Sequence, residues 1–156
     1  MIGSQGSGQI TRTVSTLRAS AACPAAGAWD ATPTAVTAAG AQALTLFFTY
    51  TRGAAGGAFD WQLMVSAYAR AADAPAGAAE WVTEPLYSAG SVTAGADSQS
   101  LVQHEYQTYT VLTGDAEGFV FGPIGLGGTA ERVRVRARES GAIGNPGTLQ
   151  ITGVLQ

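Results

Sequence analysis

ALTLFFTYTR, residues 43–52, and FDWQLMVSAYA, residues 59–69, decide the fold class. In the first, Leu44, Leu46, Phe48 and Tyr50 alternate with Thr45, Phe47, Thr49 and Thr51. A period of two in β-branched and aromatic residues marks a strand with one buried face. The second alternates in the same way, with Phe59, Trp61, Leu63, Val65 and Ala67 on one face. Between them GAAGG (53–57) makes a flexible turn, so the two segments are expected to pair as a β-hairpin.

The same alternation recurs on either side. QITRTVSTLRA (9–19), TAVTA (34–38), LVQHEYQTYTVLT (101–113), FVFGPIG (119–125) and TLQITGVL (148–155) read as strands, as does EWVTEPLYSA (80–89) with Pro85 at an edge or bulge. ACPAAGAWDATP (22–33) is a loop with Trp29 as an anchor. RAADAPAGAAE (70–80) is alanine-rich but holds Pro75 and Gly77, which limit it to a loop with one helical turn. GNPGT contains Asn145, Pro146 and Gly147 in the order of a tight turn. The expectation is an all-β chain of about eight strands, an antiparallel β-sandwich that is jelly-roll-like. Residues 1–9 would form a flexible N-terminal arm and residues 10–156 a single domain.

Composition narrows the function. Of 156 residues only 12% are charged, about half the usual share, so the surface suits a protein that buries much of itself against partners. The formal net charge of −3 argues against a general nucleic-acid binder. Cys23 is the single cysteine, which excludes an intrachain disulfide and a thiolate metal cluster. The opening residues lack the charged and apolar regions of an export signal. No apolar run approaches the roughly 18 residues that cross a bilayer. A chain made in a cytoplasm and not bound to a membrane is expected.

ERVRVRARES (131–140) places Arg132, Arg134, Arg136 and Arg138 at every second position, half of all basic residues in a chain without lysine. On a strand, Val133, Val135 and Ala137 then point into the core and the four arginines point outward. Like charges about 7 Å apart repel modestly in water, so the row needs compensation. Carboxylates on adjacent strands would supply it, with Glu131 and Glu139 flanking the row and Glu105 or Glu117 lying across from it. A protein interface would use the same guanidinium forks on a partner's carboxylates. Phosphate binding is the third reading, and it is weakened because no aromatic interleaves these arginines for base stacking. The candidate interface residues are Arg132, Arg134, Arg136 and Arg138 with Trp29, Trp81 and Tyr106.

Catalytic constellations are not legible. His104 is the single histidine, and Glu105 beside it on a strand would face the other way. No HxH or HxxxH spacing suggests a metal. GPIGLGG (122–128) lacks the Lys-Ser/Thr of a phosphate loop and precedes a strand. A non-enzymatic protein without a cofactor is expected.

Three stretches, LTLFFTYTRGAAGGAFDWQLMVSAY with EWV after a loop, RVRVRARESG and GNPGTLQITGVL, resemble small β-sandwich virion proteins of tailed bacteriophages. The resemblance covers about residues 43–156 and includes a closing Val-Arg hairpin; the family's Ser-x-Asp-Gly turn before the tryptophan is replaced by SAYARAADAPAGAAEW. It implies a capsid decoration (cement) protein, a head-fibre base or a tail component, assembled in the bacterial host cytoplasm and located in the virion. The implied partners are the major capsid protein or other virion proteins, in a homo-oligomer. A carbohydrate-binding or adhesin-like module on the same scaffold is the alternative; it requires Trp29 or Trp81 to be exposed beside polar side chains.

Overall fold

The computed structural model describes residues 11–25, 28–53, 58–84, 86–87, 103–104, 107–110, 116–140 and 145–156. The proposed arm at 1–9, most of the 101–113 segment, Pro85 and Tyr106 lie outside them. Within them the chain is all-β, with one short 3-10 turn at Ala71–Asp73 where the alanine-rich segment allows a single turn. The strands are β1 (Thr13–Ala22), β2 (Ala35–Thr37), β3 (Ala43–Thr51), β4 (Ala58–Ser66), β5 (Val82–Thr83) and β6 (Leu86–Tyr87). They continue with β7 (Gln103–His104), β8 (Gln107–Thr110), β9 (Ala116–Gly125), β10 (Arg132–Glu139) and β11 (Thr148–Leu155).

Two antiparallel sheets carry the fold. One has the order β1-β11-β3-β9; the other has β2-β10-β4-β5, with β8 sharing the β5 edge of β4. β6 and β7 form a separate two-stranded pair. Pro123 falls on β9, at the edge of its sheet, where a missing backbone donor is tolerated.

The expected β3–β4 hairpin does not form. β3 bonds to β11 and β9, while β4 bonds to β10, β5 and β8 in the opposite sheet. The closing hairpin of the resemblance is absent for the same reason, because β10 and β11 also lie in different sheets. Alternation specifies which face of a strand is apolar but says nothing about which strand supplies its hydrogen bonds. Joined as a hairpin, β3 and β4 would turn both apolar faces to the same side of one sheet. Placed in opposite sheets, they cover each other.

The core records that arrangement. Phe48 of β3 stacks on Phe119 of β9 at 4.5 Å between ring centres and 5° between planes. It meets Trp61 of β4 at 5.0 Å, and Tyr50 meets Phe59 at 4.9 Å, so aromatic rings from the two sheets interlock. Leu17, Leu44, Leu46, Leu63, Val133, Val135, Leu149 and Ile151 fill the rest of the interior and are fully buried. Each such side chain contributes about 1.5–3 kcal/mol on burial.

Two buried polar knots tie segments to this core. Arg18, 8% exposed, donates to both carboxylate oxygens of Asp30 (2.9 and 3.1 Å) and to the carbonyls of Ala21, Ala22 and Leu149. Glu139 Oε1 accepts from the Tyr50 hydroxyl at 3.1 Å and from the Gly147 N–H at 2.5 Å. Gly147 does not adopt a positive φ, so turn geometry is not what demands glycine there. Space demands it, because a Cβ at this position would overlap the Tyr50 ring and hydroxyl.

Candidate functional site: the arginine–tryptophan face

β10 alternates as expected. Val133, Val135 and Ala137 are fully buried, while the four arginines project from the outer face of the five-stranded sheet and are half-buried. Their half-burial has two sources, the neighbouring strand and two indole rings.

Along β4, the residues facing Arg138, Arg136, Arg134 and Arg132 are Asp60, Gln62, Met64 and Ser66. Arg138 Nε lies 2.9 Å from Asp60 Oδ2, with the carboxylate 6% exposed. Arg136 Nε donates to Gln62 Oε1 at 2.6 Å, and Arg134 Nη2 contacts Met64 sulfur at 3.4 Å. Arg132 reaches past Ser66 to Glu80 at 2.6 Å and also donates to the Tyr68 carbonyl at 2.7 Å. The compensating carboxylates are therefore Asp60 and Glu80, not Glu131 or Glu139. Glu139 occupies an inward position and serves the Tyr50–Gly147 knot. The side chains of Glu105 and Glu117 lie outside the described residues.

The indoles come from loops distant in sequence. Trp81 precedes β5 and lies under Arg132 (4.8 Å to the ring centroid) and Arg134 (4.2 Å). Trp29 lies under Arg136 (5.0 Å) and Arg138 (4.3 Å). Aromatics thus do combine with the arginine row, although none is interleaved with it in sequence. Guanidinium over indole is the favourable cation–π geometry, worth about 0.5–2 kcal/mol per contact. Trp29 is held in place by its neighbour. Asp30 Oδ2 accepts from the Ala137 N–H at 2.9 Å, the Asp30 N–H donates to the Ala137 carbonyl at 3.0 Å, and Arg18 clamps the same carboxylate. Both tryptophans are half-buried beneath guanidiniums, not exposed as a sugar-stacking platform requires.

This face also explains why β4 is buried on both sides. Phe59, Trp61 and Leu63 fill the core, and Asp60, Gln62 and Met64 are covered from outside by the arginines. The row's charge is compensated at its two ends. Burial lowers the pKa of Arg134, and Arg136 and Arg132 lower it further against a raising influence of Glu80. Burial and then Arg138 lower that of Arg136.

The opposite outer face, on the four-stranded sheet, differs in kind. Thr16, Thr152, Phe47 and Val120 form one continuous row across β1, β11, β3 and β9. Beside it run Val14, Val154 and Thr45 on one side and Gln150, Thr49 and Gly118 on the other. No charged side chain stands at these positions. Val14, Phe47 and Val120 are 69%, 43% and 56% exposed, unusual for large apolar residues clustered on one sheet.

Other sites offer less chemistry. Among the described residues no group of three His, Cys, Asp or Glu side chains is placed to hold a metal. No helix among them is long and apolar enough to cross a membrane. His104 falls on β7, and its side chain lies outside the described residues. A hollow of about 260 Å³ lined by Val65, Val82, Glu84 and Leu126 is smaller than ordinary ligand pockets; burial raises the Glu84 pKa there. Comparisons with protein-family models, with characterised proteins and with solved structures returned no match.

Proposed function

We propose that this chain is a non-enzymatic structural protein of a tailed-bacteriophage virion, a capsid decoration protein that assembles as a homo-oligomer on the major capsid protein. Its fold is then a jelly roll. The strand orders β1-β11-β3-β9 and β2-β10-β4-β5 support this, because the chain crosses from one sheet to the other at each step from β1 to β4 and again from β9 to β11, as two interleaved Greek keys require. A jelly roll hosts capsid and lectin domains alike, so topology alone does not select the function.

The observation that carries the reading is the uncharged face of the four-stranded sheet. With strands about 4.8 Å apart and about 3.4 Å per residue, it spans about 500 Å². Two copies meeting there bury about 1,000 Å² in all, the lower bound of a specific interface. A two-fold contact brings a patch against itself, so a charge near its axis would meet its own sign. A face made of Thr, Gln, Val, Phe and Gly meets that condition, and a second copy of this chain is its occupant.

Sedimentation tests this directly. The wild-type chain is expected to sediment as an oligomer and to co-sediment with tailed-phage capsids. Thr152→Glu, at the centre of the face, is expected to yield a folded monomer that no longer binds particles. A wild-type monomer at tens of micromolar without particle binding overturns the proposal.

A further inference from the structure

We propose that Arg134 and Arg136 form a receptor for paired carboxylates on an extended acidic segment of a partner protein. The outer arginines are neutralised within the chain, Arg132 by Glu80 and Arg138 by Asp60. The central two are not. Strand β4 places Gln62 and Met64 across from them, and no carboxylate among the described residues lies in ion-pair contact with either. A row serving only the stability of this sheet would have carboxylates at these positions as it does at Asp60. Two adjacent positive charges are instead maintained in the middle of the face.

They are also held ready. Arg134 stacks on Trp81 and Arg136 on Trp29, while the Gln62 oxygen fixes the Arg136 Nε. Arg134 Nε is buried without a hydrogen-bond partner. A ligand oxyanion that pairs with these two guanidiniums finds side chains whose rotamers are already fixed, so little ordering entropy opposes binding. The depressed pKa values of both groups express the same strain of like charge and burial, which an anion relieves.

The spacing selects the ligand. Arg134 and Arg136 are two residues apart on one strand, about 7 Å. Acidic residues two apart on an extended segment repeat at the same distance, so both pairs form in one register. The net charge of −3 disfavours a polyphosphate backbone as the partner, and the indoles that would stack on bases already carry guanidiniums. The inference rests on the assembly reading for its partner but uses the opposite face of the molecule, so the two fail separately.

Fluorescence anisotropy of a labelled peptide of alternating Thr and Glu tests it on the full chain, with a Thr/Gln peptide and a short DNA duplex as comparisons. The acidic peptide should bind, with quenching of tryptophan emission, and the Gln peptide should not. The double substitution Arg134→Gln/Arg136→Gln should weaken binding about tenfold or more. Gln62→Glu offers an independent variant, because it supplies an internal carboxylate opposite Arg136; it should weaken binding to a similar extent while raising stability. Equal binding of the Gln peptide, retained affinity in Gln62→Glu, or DNA binding as tight as that of the acidic peptide overturns the proposal. Oligomer size in the same samples should stay constant, since the uncharged face is untouched.

Discussion

Replacing Asp30 with Ala tests whether one carboxylate both neutralises a buried cation and positions a site indole. Three hydrogen bonds end on this side chain, from Arg18 Nε and Nη2 and from the Ala137 N–H, at 2.9, 3.1 and 2.9 Å. Arg18 is 8% exposed and Asp30 18%, so the loss leaves a nearly buried guanidinium without its counterion. Breaking a buried pair from one side costs about 3–5 kcal/mol, and an unsatisfied buried N–H adds about 1–3 kcal/mol. Arg18 keeps its bonds to the carbonyls of Ala21, Ala22 and Leu149, and water enters where Asp30 is partly exposed. A net loss of about 3 kcal/mol is therefore expected, a large share of the ~5–15 kcal/mol that such domains possess. With a urea slope of about 2 kcal/mol/M, the midpoint should fall by about 1.5 M. Asp30→Asn, which keeps an acceptor for Ala137, should lie between. Arg18→Met with Asp30→Ala should be less damaging than Asp30→Ala alone, because no unpaired charge remains. A midpoint shift in Asp30→Ala equivalent to less than about 0.5 kcal/mol, typical of a surface substitution, would refute the reasoning.

Four further outcomes follow from the same geometry. Trp81→Ala removes the surface under Arg132 and Arg134 and should cost about 1–3 kcal/mol in urea unfolding, more than Arg70→Ala, whose pair with Asp73 is exposed. Gly147→Ala drives a Cβ into Tyr50 and should destabilise by about 1–3 kcal/mol, with partial recovery when Tyr50 is changed to Leu as well, measured as a double-mutant cycle. Tyr50→Phe leaves the inward Glu139 with one donor fewer and should cost about 1–3 kcal/mol by the same assay. Burial pushes the Cys23 thiol up to about 12, so native protein at pH 8 should resist thiol reagents and react at the rate of opening. The sign of the linkage is fixed by that shift. From about pH 8.5, the ordinary thiol value, the unfolded chain loses this proton first, so the thiol's contribution is complete below that pH and declines towards pH 12. Urea midpoints for wild type and Cys23→Ala measured from pH 8 to 10 should show a steeper decline in wild type, since burial raises the Tyr50 phenol in both.

Several features were legible from residue order alone. The period of two in residues 43–52, 59–66 and 132–139 fixed which side chains face the core, because successive residues on a strand must face opposite ways. Val133, Val135 and Ala137 accordingly lie in the core and the arginines outside it. The single helical turn at Ala71–Asp73 also follows from Pro75 and Gly77. Trp29 and Trp81 drew attention by type, since indoles serve as anchors, but nothing in sequence linked either of them to the arginines.

Only the tertiary structure decided which strands pair, which carboxylates answer the arginines, and what lies on the outside of β4. Hydrogen bonding along a strand edge is chemically identical for every partner, so the choice between a β3–β4 hairpin and a crossing between sheets depends on how two apolar faces are best covered. Asp60 and Gln62 look solvent-facing in sequence and are buried, because Arg138 and Arg136 of β10 reach across to them and are themselves stacked on Trp29 from a distant loop. Alternation is a local property of the backbone, whereas pairing and compensation of charge are set by what the whole chain brings to one place.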